Sequence, residues 1–250
     1  MRQLFIIILV LFSLSGISQE VAETDTLPDE VLLRHQYSLG VQAHTGGWGL
    51  KVRWGKNLRA RKQRMFEIDL VTQKSQKEIR VINPYFPNAK SYFYGRLNYI
   101  YFLRGGIGFH HILNQKPYWG GVQLSAFYYG GLTLGMAKPV YLYILYFSQG
   151  YDEYDIKEEK YDPDVHYIDN IYGRGSWTSG IGKTRFYPGL YARTGLDFEF
   201  GTKHRLMQAL EVGGTMEYFP LAIPMMAFNP KKSLFVSLYL SFSIGKRYNK

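Results

Sequence analysis

No cysteine occurs anywhere in the sequence, so neither a lipid-modified cysteine anchor nor a disulfide framework can hold this chain. Beyond residue 20 no apolar run reaches the ~18 residues of a membrane helix, which excludes a helical membrane protein. Acidic side chains are the minority, 20 against 30 Lys and Arg, and leave a net charge of +10. Those cations do not gather on one helix or in one long block, as a nucleic-acid binder would need, so no nucleic-acid partner is expected. They collect in Arg59–Arg64, Lys74–Arg80 and the C-terminal KRYNK. Contact with anionic lipid headgroups or lipopolysaccharide phosphates accounts for them more simply. No phosphate-binding, zinc or dinucleotide motif is present, so the expectation is no cofactor and no metal.

What the chain does have is aromatic residues, 22 Tyr and 16 Phe, together with 26 Gly. Tyr and Phe favour strands, and Gly favours turns and crowded barrel interiors. In Leu234–Lys246, LFVSLYLSFSIGK, apolar residues take every second place and small or hydroxyl-bearing ones mostly fill the gaps. A strand sends alternate side chains to opposite faces, so one face is greasy and the other largely polar. The pattern recurs about ten times, which is the signature of an all-β, antiparallel, up-and-down transmembrane β-barrel, with eight to twelve strands compatible.

Residues 1–18, MRQLFIIILVLFSLSGIS, read as a cleaved signal peptide. A charged Arg2 precedes an apolar core too short to span a bilayer, and Gly16 and Ser18 stand before a cleavage at Ser18/Gln19. Residues 19–34 form a flexible periplasmic lead-in and 35–250 the barrel. The strands are expected at Tyr37–His44, Trp48–Lys56, Met65–Thr72, Ser91–Leu97, Tyr101–Ile112, Gly121–Tyr128, Leu132–Tyr146, Phe186–Phe200, Leu206–Phe219 and Leu234–Lys246. Tyr129-Gly130-Gly131 reads as a hairpin between the sixth and seventh. Pro139 predicts a bulge or break, because proline cannot donate to the ladder. The links alternate between short and long, and the largest, 147–183, is placed outside the cell. Trp48, Trp54 and Tyr218 fit aromatic girdles at the membrane boundaries.

The signal ending in SQE, the run YFYGRLNYIYFLRGGIGF, and the segments KPYWGGVQLSAFYYGGLTLGMAKPVYL and FYPGLYARTGLDFEFG resemble the small outer-membrane β-barrels of Bacteroidota-type envelopes. The resemblance spans most of the mature chain and implies fold and outer-membrane location, with no catalytic residues carried over. It also implies handling by the barrel assembly machinery, which reads a terminal aromatic residue; here Tyr248 is followed by Asn249-Lys250.

Two constellations face inward. Lys51, Arg53, Arg96, Arg104 and Arg193 oppose Asp69, Glu67, Asp197, Glu199, Glu211 and Glu217, and in a narrow lumen opposite charges should pair as a structural plug. A narrow ion-selective path is the alternative. His44, His110 and Glu217 are expected near the outer rim, where a His–carboxylate pair could activate water. No local hydrolase signature accompanies them. Loop 147–183 carries acidic residues, including Asp162, Asp164 and Asp169, interleaved with tyrosines, which suits an envelope protein partner. Its GRGSWTSGIG segment, with Trp177, could close over the mouth. The reading is a non-enzymatic outer-membrane barrel with an envelope-structural, adhesive or transport/secretion-assembly role. A barrel hydrolase or a narrow solute channel is the alternative.

Overall fold

Alternation of side chains only builds a barrel if the strands find partners on both edges, and here they do. The computed structural model describes residues 34–59, 61–86, 88–115, 121–147, 154–200 and 206–248. The expected signal peptide, most of the lead-in and the last two residues lie outside that set. The strands are β1 His35–His44, β2 Gly47–Arg59, β3 Lys62–Gln73, β4 Ile79–Val81, β5 Tyr92–Tyr94, β6 Asn98–Asn114, β7 Gln123–Pro139, β8 Tyr141–Phe147, β9 Tyr154–Lys160, β10 Ile171–Arg174, β11 Arg185–Phe200, β12 Leu206–Ile223 and β13 Lys232–Tyr248. Eight of them close an antiparallel ring in the order β1-β13-β12-β11-β7-β6-β3-β2. The closing seam runs from His35↔Tyr248 to His44↔Tyr239, so no edge is left open.

Eight strands is the lower bound of the sequence reading, and both surplus strands have a physical explanation. The expected fourth strand is largely β5, which pairs with β4 in a two-stranded sheet outside the ring. The expected hairpin at Tyr129-Gly130-Gly131 is the middle of β7, which runs unbroken from Gln123 to Pro139. Gly131 and its cross-strand partner Gly106 make room inside the barrel. A Cβ on Gly131 would lie 2.2 Å from the Gly105 carbonyl oxygen and 2.9 Å from the Tyr191 ring, and one on Gly106 would lie 2.3 Å from the Tyr191 hydroxyl. Pro139 ends β7 as expected. The chain then leaves the wall to form β8 at the centre of a separate sheet, β10-β8-β9.

The exterior is apolar. Leu234, Val236, Leu238, Leu240, Phe242 and Ile244 on β13 are all exposed, at 42–68%. Ten strand steps of ~3.4 Å, tilted ~40°, stand ~25 Å high, the height of a bilayer's apolar band. Leu39, Val41, Leu50, Val52, Ile68, Leu70, Leu190 and Val212 continue the belt around the ring. The two long links lie at one end. The links at the end where His35 and Tyr248 lie are short: Arg59 to Lys62, Asn114 to Gln123, Phe200 to Leu206. At the opposite end Gln73 to Asn98 and Pro139 to Arg185 carry β4–β5 and β8–β10 and build a head.

Candidate functional site

The lumen is a packed interior in three layers. Its middle layer holds charged side chains from five strands. Lys51 Nζ lies 2.6 Å from Glu211 Oε2, and Glu211 also takes the Arg53 guanidinium, whose Nη2 donates to Oε2 at 3.1 Å. Arg53 donates from Nε to Glu67 Oε2 at 2.5 Å, and Glu67 Oε1 lies 2.7 Å from Arg193 Nη1. Arg193 Nη2 reaches Asp69 Oδ2 at 2.6 Å and donates to Gln42 Oε1 at 2.8 Å. Arg104 closes the series with Asp69 at 3.8 Å and with Glu217. Four cations and four carboxylates therefore form one neutral chain of pairs, each residue at most 3% exposed. Charge buried this deeply is tolerated only when paired. Because Arg53–Glu211 and Arg193–Glu67 join strands that are not neighbours in the ring, the pairs staple opposite walls.

Aromatic faces enclose that layer. The Arg53 guanidinium stands 4.8 Å over the Tyr129 ring and that of Arg193 4.6 Å over Tyr239, both favourable cation–π placements. Towards the head, Phe102, Phe219 and Phe235 meet with ring centroids 5.0, 5.2 and 5.7 Å apart. Met225 and Met226, in the link from β12 to β13, join this buried cluster and fill the mouth. The link is tied down by the Leu97 N–H donating to the Met225 carbonyl at 3.0 Å and the Ala227 N–H to the Gly95 carbonyl at 2.8 Å. Towards the terminal end, the space between Gln36, Gln63, His110 and Asp197 is a cavity of about 10 Å³, barely one water.

The residues singled out in sequence fare differently. Lys51, Arg53, Glu67, Asp69, Arg104, Arg193, Glu211 and Glu217 meet in the charged layer. Glu199 lies nearer the terminal end and pairs with Arg247. Asp197 is also buried there, without an ion-pair partner among the described residues. Arg96 is a correction. It lies outside the ring, at a bridge to Met226, pairs with Glu78, and packs over the Phe93 and Tyr99 rings at 4.1 and 4.8 Å. The His44–His110–Glu217 cluster does not assemble either. His44 ends β1 at the head end, where its Nδ1 accepts the Gly46 N–H at 3.2 Å. His110 sits opposite Gln63 at the terminal end, with Nε2 2.7 Å from the Tyr129 hydroxyl and its ring stacked on Phe127 at 5.2 Å. Glu217 is held by Arg104. An extra strand counted before β6 reverses its direction, and that reversal puts His110 at the wrong end.

Trp48, Trp54 and Tyr218 all face outward, 57%, 43% and 52% exposed, with Trp48 and Tyr218 nearer the head and Trp54 nearer the termini. Sequence reasoning missed Tyr129, Tyr191, Tyr239, Met225 and Met226. The first three occupy inward positions of their strands; nothing in the sequence shows that the two methionines turn back into the mouth.

The head has its own packing. Tyr92, Val140, Leu142, Ile144, Tyr161 and Ile171 form a buried cluster, and Asn83 Nδ2 donates to the Ile171 carbonyl at 2.9 Å. Burial pushes the phenols of both Tyr92 and Tyr161 up to about 12. Phe86 packs against Tyr154 and Tyr172, each at 5.4 Å. Asp162 serves its own turn, accepting the Asp164 N–H at 3.1 Å. Trp177 is 68% exposed beside Lys138, whose Nζ lies 4.8 Å over its ring. Tyr85 and Phe228 are likewise exposed, at 73% and 66%.

No protein-family model matches the chain, and no curated protein matches it. Among solved structures it is similar to Neisserial surface protein A, with 12% identity, TM-score 0.37, and coverage of 86% of this chain and 96% of that one. It is also similar to Ail, the attachment invasion locus protein of Yersinia pestis, solved in complex with the heparin analogue sucrose octasulfate, with 8% identity, TM-score 0.39, and coverage of 86% and 97%. These likenesses are distant, and the eight-stranded barrel stands on its own closed ring of hydrogen-bonded strands.

Proposed function

We propose that this chain is an integral outer-membrane barrel whose work is binding, with the lumen as a structural staple and the head as the surface presented outside the cell. The apolar belt supports a bilayer location, since soluble monomers rarely expose contiguous apolar patches beyond a few hundred Å² and this one runs around the ring. Short links, with the start of β1 and the end of β13 on the same side, support a periplasmic terminal end and an external head. Such a chain would reach its membrane through the barrel assembly machinery and sit among outer-membrane lipid and lipopolysaccharide.

The observation that carries the binding role is the head itself, a small sheet with its own buried cluster, and the links that expose Tyr85, Trp177 and Phe228 to solvent. Exposed aromatic side chains on a rigid platform are what a protein interface uses as anchors. Catalysis finds no support in the separated histidines, nor a solute path in the layered, filled lumen. The test pairs two measurements. The reconstituted barrel should show no stepwise conductance in a planar bilayer. A photo-reactive residue at position 85 or 177 should form a discrete adduct in intact cells, and the same residue at Leu132 on the lipid face should not. Ohmic current, or identical cross-linking at all three positions, refutes the reading.

A further inference from the structure

The outward surface changes character sharply at its terminal-end margin. Tyr37, Trp54 and Phe66 stand side by side there, because Tyr37 pairs with Trp54 and Trp54 with Phe66; the last two rings stack at 6.1 Å. One outward position nearer the termini, the same three strands carry His35, Lys56 and Arg64 in a row. Lys62 comes next on β3, and Lys246 on β13 faces Tyr37 from the other side. Lys56, Arg64 and Lys246 are exposed.

This arc has no counter-charge of its own. Asp and Glu are missing from every position between Val31 and Phe66. Among the described residues no carboxylate pairs with Lys56, Lys62, Arg64 or Lys246, although the lumen pairs nearly all of its charges. Lys56 and Arg64 are direct cross-strand partners, with Cβ atoms about 5 Å apart, where like charges oppose sheet formation. Their neighbourhood supplies ring faces instead: Lys62 Nζ lies 4.7 Å over Phe109 and Arg64 5.9 Å over Phe66. An aromatic row marks the depth of the lipid headgroups, so the cationic row beneath it lies at phosphate level.

We propose that Lys56 and Arg64, with Lys62 and Lys246 beside them, form a binding site for the phosphate of an anionic glycerophospholipid, whose chains lie along Trp54 and Phe66. The site rests on the membrane-spanning reading above and sits in the leaflet opposite the head. The phosphodiester supplies the charge that separates Lys56 from Arg64, and the guanidinium can take two of its oxygens together.

The test uses Trp54 as a reporter. The chain has four tryptophans; W48F, W119F and W177F together leave Trp54 alone. That protein is reconstituted into phosphatidylcholine vesicles containing dibrominated phosphatidylglycerol or dibrominated phosphatidylcholine at equal mole fraction. Quenching should report preferential binding of the anionic phosphatidylglycerol, about five-fold per engaged cation. The preference should drop by about five-fold for each cation removed in K56Q/R64Q, survive in K56R/R64K, and shrink with added salt. Equal quenching by both lipids overturns the site while leaving the barrel in the membrane. A preference undiminished in K56Q/R64Q overturns the assignment to these residues. No quenching by either lipid overturns the membrane-spanning reading and the site with it.

Discussion

Removal of one member of the lumen's ion-pair chain puts the staple to its hardest test. Glu67 is 1% exposed and holds two guanidiniums, Arg53 at 2.5 Å and Arg193 at 2.7 Å. Glu67→Gln keeps the volume and leaves three carboxylates facing four cations. Breaking a buried pair from one side costs about 3–5 kcal/mol, because the surviving charge stays buried. Arg193→Met should cost a similar amount, since Asp69 would keep only Arg104, 3.8 Å away. The double variant restores neutrality, with Lys51, Arg53 and Arg104 against Glu211, Asp69 and Glu217. Its loss should therefore fall short of the sum of the single losses by about 2–4 kcal/mol, within the range of buried charge-pair coupling. Urea unfolding in phospholipid vesicles, followed by tryptophan fluorescence, gives all four corners of the cycle. Strict additivity would show that the pairs do not act as one unit and would refute the staple.

The same geometry carries three further expected outcomes. Gly131→Ala should destabilise the barrel by about 1–3 kcal/mol, as overpacking does; Gly130→Ala, whose Cβ meets nothing within 4 Å, should stay within about 0.5 kcal/mol, both read by urea midpoint. The head should loosen in alkali. Tyr92 and Tyr161 are raised from 10.0 to about 12, so above pH 10 the opened head holds fewer protons than the closed one and stability falls with rising pH. Their contribution is complete below pH 10 and gone once pH passes 12. Phenolate absorbance should accordingly show one late-titrating tyrosine fewer in Tyr92→Phe than in the wild type, and likewise in Tyr161→Phe; an unchanged late phase in both variants would refute their burial.

Much of the barrel wall is legible along the chain. Seven of the eight ring strands recur close to their expected places, and β13 with its six outward apolar residues is the plainest. The inward charges could also be read, since Lys51 and Arg53 alternate with Leu50, Val52 and Trp54 and have no other reason to be there. Glycine is where local reading fails. Gly130-Gly131 looks like a turn, and only the approach of the β6 backbone at Gly105-Gly106 and of the Tyr191 ring from β11 explains why the strand needs no side chain at Gly131. Tyr92–Tyr94 fails for a related reason: a short stretch that alternates properly can belong to a loop sheet as easily as to the wall.

Side-chain period thus settles by itself which face of each strand turns outward and which meets the interior, because a strand's alternation is a local property of the backbone. Which strands neighbour one another, which cation reaches which carboxylate across the lumen, and whether two histidines share a rim depend on closure and direction. One extra strand reverses the direction of every later one, so those features are decided only when β1 meets β13 and the ring is complete.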